Sequence, residues 1–230
     1  MNSKLMQEVN PVFTTAQACL LVLAEKGDAD AQRLVKELGF DSGIASVGKD
    51  ALTEMEKFQK MKSIPGFTTM IEALFKASSN LILSSPMKEV LDLPCGYTPR
   101  GGQLSRSGIR YYGLDLPIVA QAMSNACKNI LDASYHPVDA TNYDTLRSAL
   151  REAQGELLIT TEGLLMYLTQ SELEETFRNM HRILEEFGGF WVTTDNEIVE
   201  TQKRLITVLA PGRESGERDR KPENAFFDPD

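Results

Sequence analysis

Asp92, Asp115, Asp139 and Glu162 stand 23, 24 and 23 residues apart, each at or just past the end of a short apolar run. The runs are Val90-Leu91-Asp92-Leu93, Tyr111-Tyr112-Gly113-Leu114, Tyr135 to Val138, and Leu157-Leu158-Ile159-Thr160. No sequence repeat accompanies the interval. It is the length of one strand, one helix and two short loops, traversed three times. That alternation predicts a parallel sheet. Right-handed crossovers bring all strand C-termini to one edge, so four carboxylates are expected in one crevice. A single acid at a strand end often only caps the next helix. Four in register, beside a glycine loop, point to a ligand with several hydroxyl and amine donors.

The glycine loop is Val90 to Gly102, VLDLPCGYTPRGG. A strand ending in a tight glycine turn before a helix is where α/β sheets bind cofactors. A full G-x-G-x-x-G is not present: Pro94 stands at the first glycine, and only Gly96 keeps its place. Between the strands, Pro117 suits the first turn of a helix. Val119, Ala122, Met123, Ala126 and Ile130 mark the face of that helix, and Leu146, Ala149 and Leu150 the next. Ser171-Glu172-Leu173-Glu174 reads as a capping box before a stripe of Leu173, Phe177, Met180, Leu184 and Phe187. Gly188-Gly189 stops that helix, and Phe190 to Thr194 is the fifth strand, closed by Asp195.

Residues before the sheet read as helices only. Ala16, Cys19, Leu20 and Leu23 follow a Thr14-Thr15 cap; Leu34, Val35 and Leu38 end at Gly39. Phe40 to Lys49 reads as a loop. Leu52, Met55 and Phe58 mark a third helix, broken by Pro65-Gly66, and Met70 to Ile82 a fourth. These stripes read most simply as core packing; the functional reading is a helical lid, residues 1–86, before a Rossmann-like α/β domain, 87–212. After the fifth strand one helix fits, with Ile198, Leu205, Ile206 and Leu209. A charged tail, 213–230, has no strand pattern and is expected to be disordered or docked by Phe226 and Phe227.

Composition excludes several classes. With 230 residues, 42% of them hydrophobic, the chain can build a sizeable core. A net charge of -9 argues against a nucleic-acid or anionic-membrane surface. The longest apolar run, Ala16 to Ala24, is too short to span a membrane. Three scattered cysteines and two histidines without partners at helical spacing offer neither a metal site nor a His-based triad. That cysteine usage fits a reducing compartment, and a cytoplasmic location is the expectation. The sequence is also compatible with a homodimer.

An adenosine cofactor suits the crevice. Asp115 at the end of the second strand would accept both ribose hydroxyls. Asp139 and Ala140 would sit at the adenine, and Gly96 would let the backbone approach. A dinucleotide's pyrophosphate is poorly served by Asp92 and a proline in the loop. S-adenosylmethionine, with an ammonium and a sulfonium, suits Asp92 and Glu162, while Arg100 pairs with its carboxylate. Charge therefore favours the methyl donor.

EVLDLPCGYTPRG, YYGLDLP, HPVDA and TTEGLLMYLTQSELEETFRNMHRIL resemble the leucine carboxyl methyltransferase-like family. Its class I S-adenosylmethionine-dependent methyltransferases include polyketide-tailoring O-methyltransferases. The likeness spans about Glu89 to Asp195. It implies that Asp92, Pro94 and Gly96 wrap the methionine part and that Arg100 is the arginine following this loop. It also implies that Asp115 and Leu116 hold the ribose, Asp139 and Ala140 the adenine side, and Glu162 the floor. Tyr167 would face the methyl group and acceptor, as the only candidate base. The sequence departs from the family at Pro94, normally glycine, and at Thr98-Pro99, normally Asp-Thr. Phe67-Thr68-Thr69 stands where a basic residue is frequent. Ala140-Thr141-Asn142 lacks the arginine that grips an acceptor carboxylate in some members, which argues against a protein C-terminal leucine as acceptor. Two further strands expected after the fifth are not legible, so the chain is read as a fragment or as a sheet with an edge needing cover. The expected activity is O-methylation of a small molecule or carboxylate. The alternative is a degenerate fold that binds without turnover.

Overall fold

Runs of β-branched and aromatic residues bounded by glycine and proline favour strands over helix. In the computed structural model, which describes residues 11–40 and 62–195, they form five. These are β1 (Glu89–Asp92), β2 (Arg110–Asp115), β3 (Ala133–Pro137), β4 (Leu157–Thr161) and β5 (Gly189–Thr193). All pairings are parallel, in the order β3-β2-β1-β4-β5. The chain winds outward from β1 through β2 and β3, then returns to the far side of β1 for β4 and β5. This is a doubly wound, Rossmann-like sheet. The reversal between β1 and β4 opens a crevice at their C-terminal ends, where such sheets hold ligands.

Seven α-helices have both ends among the described residues. They are α1 (Pro11–Glu25), α2 (Ala29–Glu37), α3 (Phe67–Ser84), α4 (Arg100–Ser105), α5 (Pro117–Ala126), α6 (Tyr143–Ala149) and α7 (Gln170–Phe187). Side chains alternate across each strand, which divides the core in two. Val90, Tyr111, Tyr135 and Leu158 face α1 to α5, packing on Leu20, Leu23, Leu34, Phe75, Ile82, Leu104 and Met123. Leu91, Tyr112, Leu114, Leu157 and Ile159 face α6 and α7, packing on Leu146, Leu150, Met180 and Ile183. The N-terminal helices thus share their main core with the sheet. A smaller cluster of Ala18, Val22, Phe67 and Ile71 joins α1 to α3.

Several local expectations are corrected. α1 begins at Pro11 and runs through Thr14 and Thr15, so they do not cap it. The capping box before α7 lies two residues earlier than read. Thr169 Oγ1 accepts from Glu172 N, and Glu172 returns a carboxylate to the Thr169 N–H at 2.7 Å. Both Thr169-Glu172 and Ser171-Glu174 have the spacing of a box, and the helix starts at Gln170, which places Ser171 inside it. Phe177 is 50% exposed and lies outside the packed stripe. It covers the edge by tilting onto Trp191, ring centroids 4.9 Å apart. Polar Thr176 and Asn179 take the buried face instead. α5 ends at Ala126, so Ile130 packs from the turn that follows. Strand bounds shift by one or two residues. The readings of 41–61, including the third helix, and of 196–230, including the last helix, the tail and any further strands, lie outside the described residues. No described helix is long and apolar enough to cross a membrane.

Candidate active site

The turn after β1 is built to meet the end of β2. Leu93 N donates to Thr160 O at 3.0 Å, and Cys95 N to Leu114 O at 2.9 Å, so the chain stays pinned to both neighbouring strands. The Leu93–Pro94 peptide is cis. Gly96 then adopts φ 54°, a left-handed conformation that costs glycine nothing. That conformation accompanies the bond from its N–H to Asp115 Oδ2 at 2.7 Å. Asp115 Oδ1 accepts from Leu116 N, also at 2.7 Å. The carboxyl is only 6% exposed. Burial pushes its pKa up to about 7, against the opposing pull of the Gly96 and Leu116 N–H groups; the charge of Asp92 adds to the rise.

Asp115 sits in a narrow cleft of about 50 Å³ along the C-terminal edge of the sheet. Its walls come from four successive loops. Leu93 and Pro94 follow β1, and Leu116 follows β2. Val138 and Ala140 follow β3, while Gly163, Leu164, Tyr167 and Leu168 follow β4. The walls are apolar, and Asp115 is the one carboxylate among them. Space of this size holds a few waters. Of the residues expected here, Pro94, Asp115, Leu116, Ala140 and Tyr167 line the cleft, and Gly96 stands behind Asp115.

The other three carboxylates do not converge there, because each finds a better partner. Asp92 is fully buried and takes both oxygens to Arg100 Nη1, at 3.0 and 3.2 Å. Tyr111 Oη and Thr160 Oγ1 also donate to it, at 2.6 and 2.8 Å. Glu162 accepts from Arg100 Nη2 and, at 3.0 Å, from Ser78 Oγ. Arg100 Nη2 also donates to Ser78 Oγ at 2.8 Å and Nε to Ser79 Oγ at 3.4 Å, above the Phe75 ring. All three sides of the guanidinium fork are therefore engaged within the protein. Burial disfavours its charge, but Asp92 and then Glu162 more than offset this, so its pKa is raised and it stays ionised. Two carboxylates on one guanidinium leave the cluster formally at -1. Glu162, with 20% of its side chain exposed, is its open end. Asp139 turns away into a local turn, accepting from Thr141 N at 2.8 Å and Thr141 Oγ1 at 2.7 Å.

Sequence reasoning missed Ser78, Ser79, Tyr111, Thr160 and Asp195. Ser78 and Ser79 interrupt the apolar stripe between Phe75 and Ile82, and polar residues on a core face need partners. Asp195, 1% exposed, grips the loop after β4 by accepting from the N–H groups of Gly163, Leu164 (3.0 Å) and Leu165 (2.6 Å). That loop carries Tyr167 on a short 3₁₀ turn, Leu165–Tyr167. Burial raises the Tyr167 pKa, opposed by a hydrogen bond with Thr15 of α1. The phenol is therefore protonated at neutral pH. Cys19, one turn further along α1, has its thiol pushed up to about 11 by burial and then by the charge of Glu162. Thus α1 borders the open end of the cluster. No three His, Cys, Asp or Glu side chains among the described residues are grouped to hold a metal ion.

No protein-family model matches the chain, and no curated protein matches it. Among solved structures the chain is similar to the TehB-like SAM-dependent methyltransferase from Corynebacterium glutamicum. The identity is 19%, the match covers 67% of this chain and 81% of that one, and the TM-score is 0.38.

Proposed function

We propose that the chain binds S-adenosylmethionine across the β1/β4 switch point and transfers its methyl group to an oxygen of a small molecule or carboxylate. This is the activity implied by the resemblance to the leucine carboxyl methyltransferase-like family. One observation carries the reading: a buried carboxylate, Asp115, closes an apolar slot that abuts a cluster of net charge -1.

The donor set fits the group. Each Asp115 oxygen spends one lone pair on a backbone N–H and keeps one for a ribose hydroxyl. Leu116, Val138 and Ala140 offer flat apolar surface to a purine. Beside them, the Asp92–Arg100–Glu162 cluster favours a sulfonium and an ammonium and repels a pyrophosphate. Bound there, S-adenosylmethionine supplies an electrophilic methyl on a neutral leaving group. The chain's part is chiefly to hold donor and acceptor in line, an effect that contributes roughly 7–11 kcal/mol in well-oriented systems. A carboxylate acceptor needs no base. Tyr167, protonated, orients an acceptor oxygen by donating to it.

Titration calorimetry with S-adenosylhomocysteine, on the wild type and Asp115→Ala, tests the site. Transfer of a labelled methyl to a panel of carboxylic acids and phenols tests the reaction. Binding in the wild type that Asp115→Ala weakens, followed by labelling of an oxygen acceptor, is the expected result. Binding without transfer to any acceptor would identify a degenerate module. A folded chain that binds neither donor nor product would overturn the proposal.

A further inference from the structure

One polar side chain on α7 holds a wall of the cleft without lining it. Asn179 is completely buried, and its Nδ2 donates to the carbonyl of Ala140 at 3.0 Å. The acceptor fixes the amide's orientation, because a carbonyl demands the nitrogen. The same Ala140–Thr141 peptide is held at its other end, where the Thr141 N–H donates to Asp139 Oδ1 at 2.8 Å. A single peptide plane is thus clamped from both sides, by a residue of its own turn and by a helix 39 positions away. Just before it, Val138 N donates to Asp115 O at 2.9 Å, tying the wall to the carboxylate's own backbone. Rotation of this peptide would break two hydrogen bonds and swing Ala140 relative to Asp115.

Asn179 spends burial to do this. Its Oδ1 lies buried with no hydrogen-bond partner among the described residues, as does Thr176 Oγ1 one turn earlier on the same face. Leaving a buried carbonyl unpaired is unfavourable, and a leucine of similar size would avoid it. Packing alone therefore does not account for an asparagine here.

We infer that Asn179 is a positioning residue for the base-binding wall, Val138 to Ala140, and so sets how the site discriminates between purines. The inference rests on the adenosine-binding reading above. The clamp consumes the peptide's own carbonyl and N–H, so what it sets for the purine edge is the direction of the preceding Ala140 N–H. Asn179 itself touches no ligand.

The test compares S-adenosylhomocysteine with S-inosylhomocysteine, which differs only at the purine edge, by titration calorimetry on the full chain. The wild type is expected to prefer the adenosine form. Asn179→Leu is expected to lose roughly tenfold in affinity for the adenosine form, the equivalent of one hydrogen bond, with little change for the inosine form. Asn179→Ala is made alongside in case leucine prevents folding. Thr176→Val, equally buried but not bonded to the wall, is expected to keep the wild-type ratio. A residue that merely stabilises α7 would lower the melting temperature and leave the ratio unchanged; that result, or a wild type indifferent to the two purines, overturns the inference. A wild type that binds neither compound would instead sink the proposed function.

Discussion

Lowering the pH from 8 to 6 should weaken S-adenosylhomocysteine binding about tenfold, through Asp115 alone. With its pKa near 7 in the ligand-free chain, roughly nine-tenths of the carboxyl is ionised at pH 8 and one-tenth at pH 6. Ribose hydroxyls donate to the ionised form, so apparent affinity scales with the ionised fraction. Binding below pH 7 should also release a proton, visible as a buffer-dependent heat in calorimetry. The same shift has a consequence for folding. A carboxyl raised from its ordinary 3.8 to about 7 favours the folded state fully below about pH 4. That contribution is lost as pH rises through 7, a swing of roughly 4 kcal/mol. Ligand and stability thus respond to pH in opposite directions. Asp115→Asn should flatten both profiles between pH 5 and 8, even if it binds weakly. His136 is the competing titration, since burial lowers its pKa, followed by the effect of Arg151; the Asn variant leaves it intact. A wild-type affinity that is flat from pH 6 to 8, or a slope that persists in Asp115→Asn, would refute the reasoning.

Arg100→Met should be among the most damaging single substitutions, because it strands Asp92 and most of Glu162 in the interior; a loss of about 3–5 kcal/mol is expected in urea unfolding, and an unchanged midpoint would show that the cluster contributes nothing. Gly101→Ala should cost about 1–3 kcal/mol by overpacking, since a Cβ there would lie 2.3 Å from Tyr135 Oη and 2.9 Å from Tyr111 Cδ1. Adding Tyr135→Phe should recover part of that loss, and no recovery would place the strain elsewhere.

The sheet was legible because strands and helices differ in local period. Apolar runs such as Leu157 to Thr160, each followed by a 3.6-period stripe, leave little besides a doubly wound order. The corrections fall where one local signal competes with another. Ser171-Glu174 and Thr169-Glu172 both have the spacing of a capping box, and only the folded backbone makes Thr169 the N-cap and leaves Ser171 inside the helix. Phe177 fits the periodic stripe by hydrophobicity, yet it covers Trp191 at the sheet's edge while Thr176 and Asn179 go inside.

The site divides in the same way. From sequence alone came the acid at the end of β2, the glycine in the loop after β1, and the crevice expected at the C-terminal ends of the strands. These follow from strand length, loop chemistry and the handedness of crossovers, all local rules. Sequence could not assign the partners of the remaining charges. Arg100 lies eight residues from Asp92 but 62 from Glu162 and 22 from Ser78, and only folding sets these around one guanidinium. Nor could it show that Asp139 turns to Thr141 while Asn179 reaches Ala140 from another layer. Charges choose partners by proximity and burial, since the cost of an unpaired ion rises steeply once water is excluded. Both quantities are properties of the packed chain.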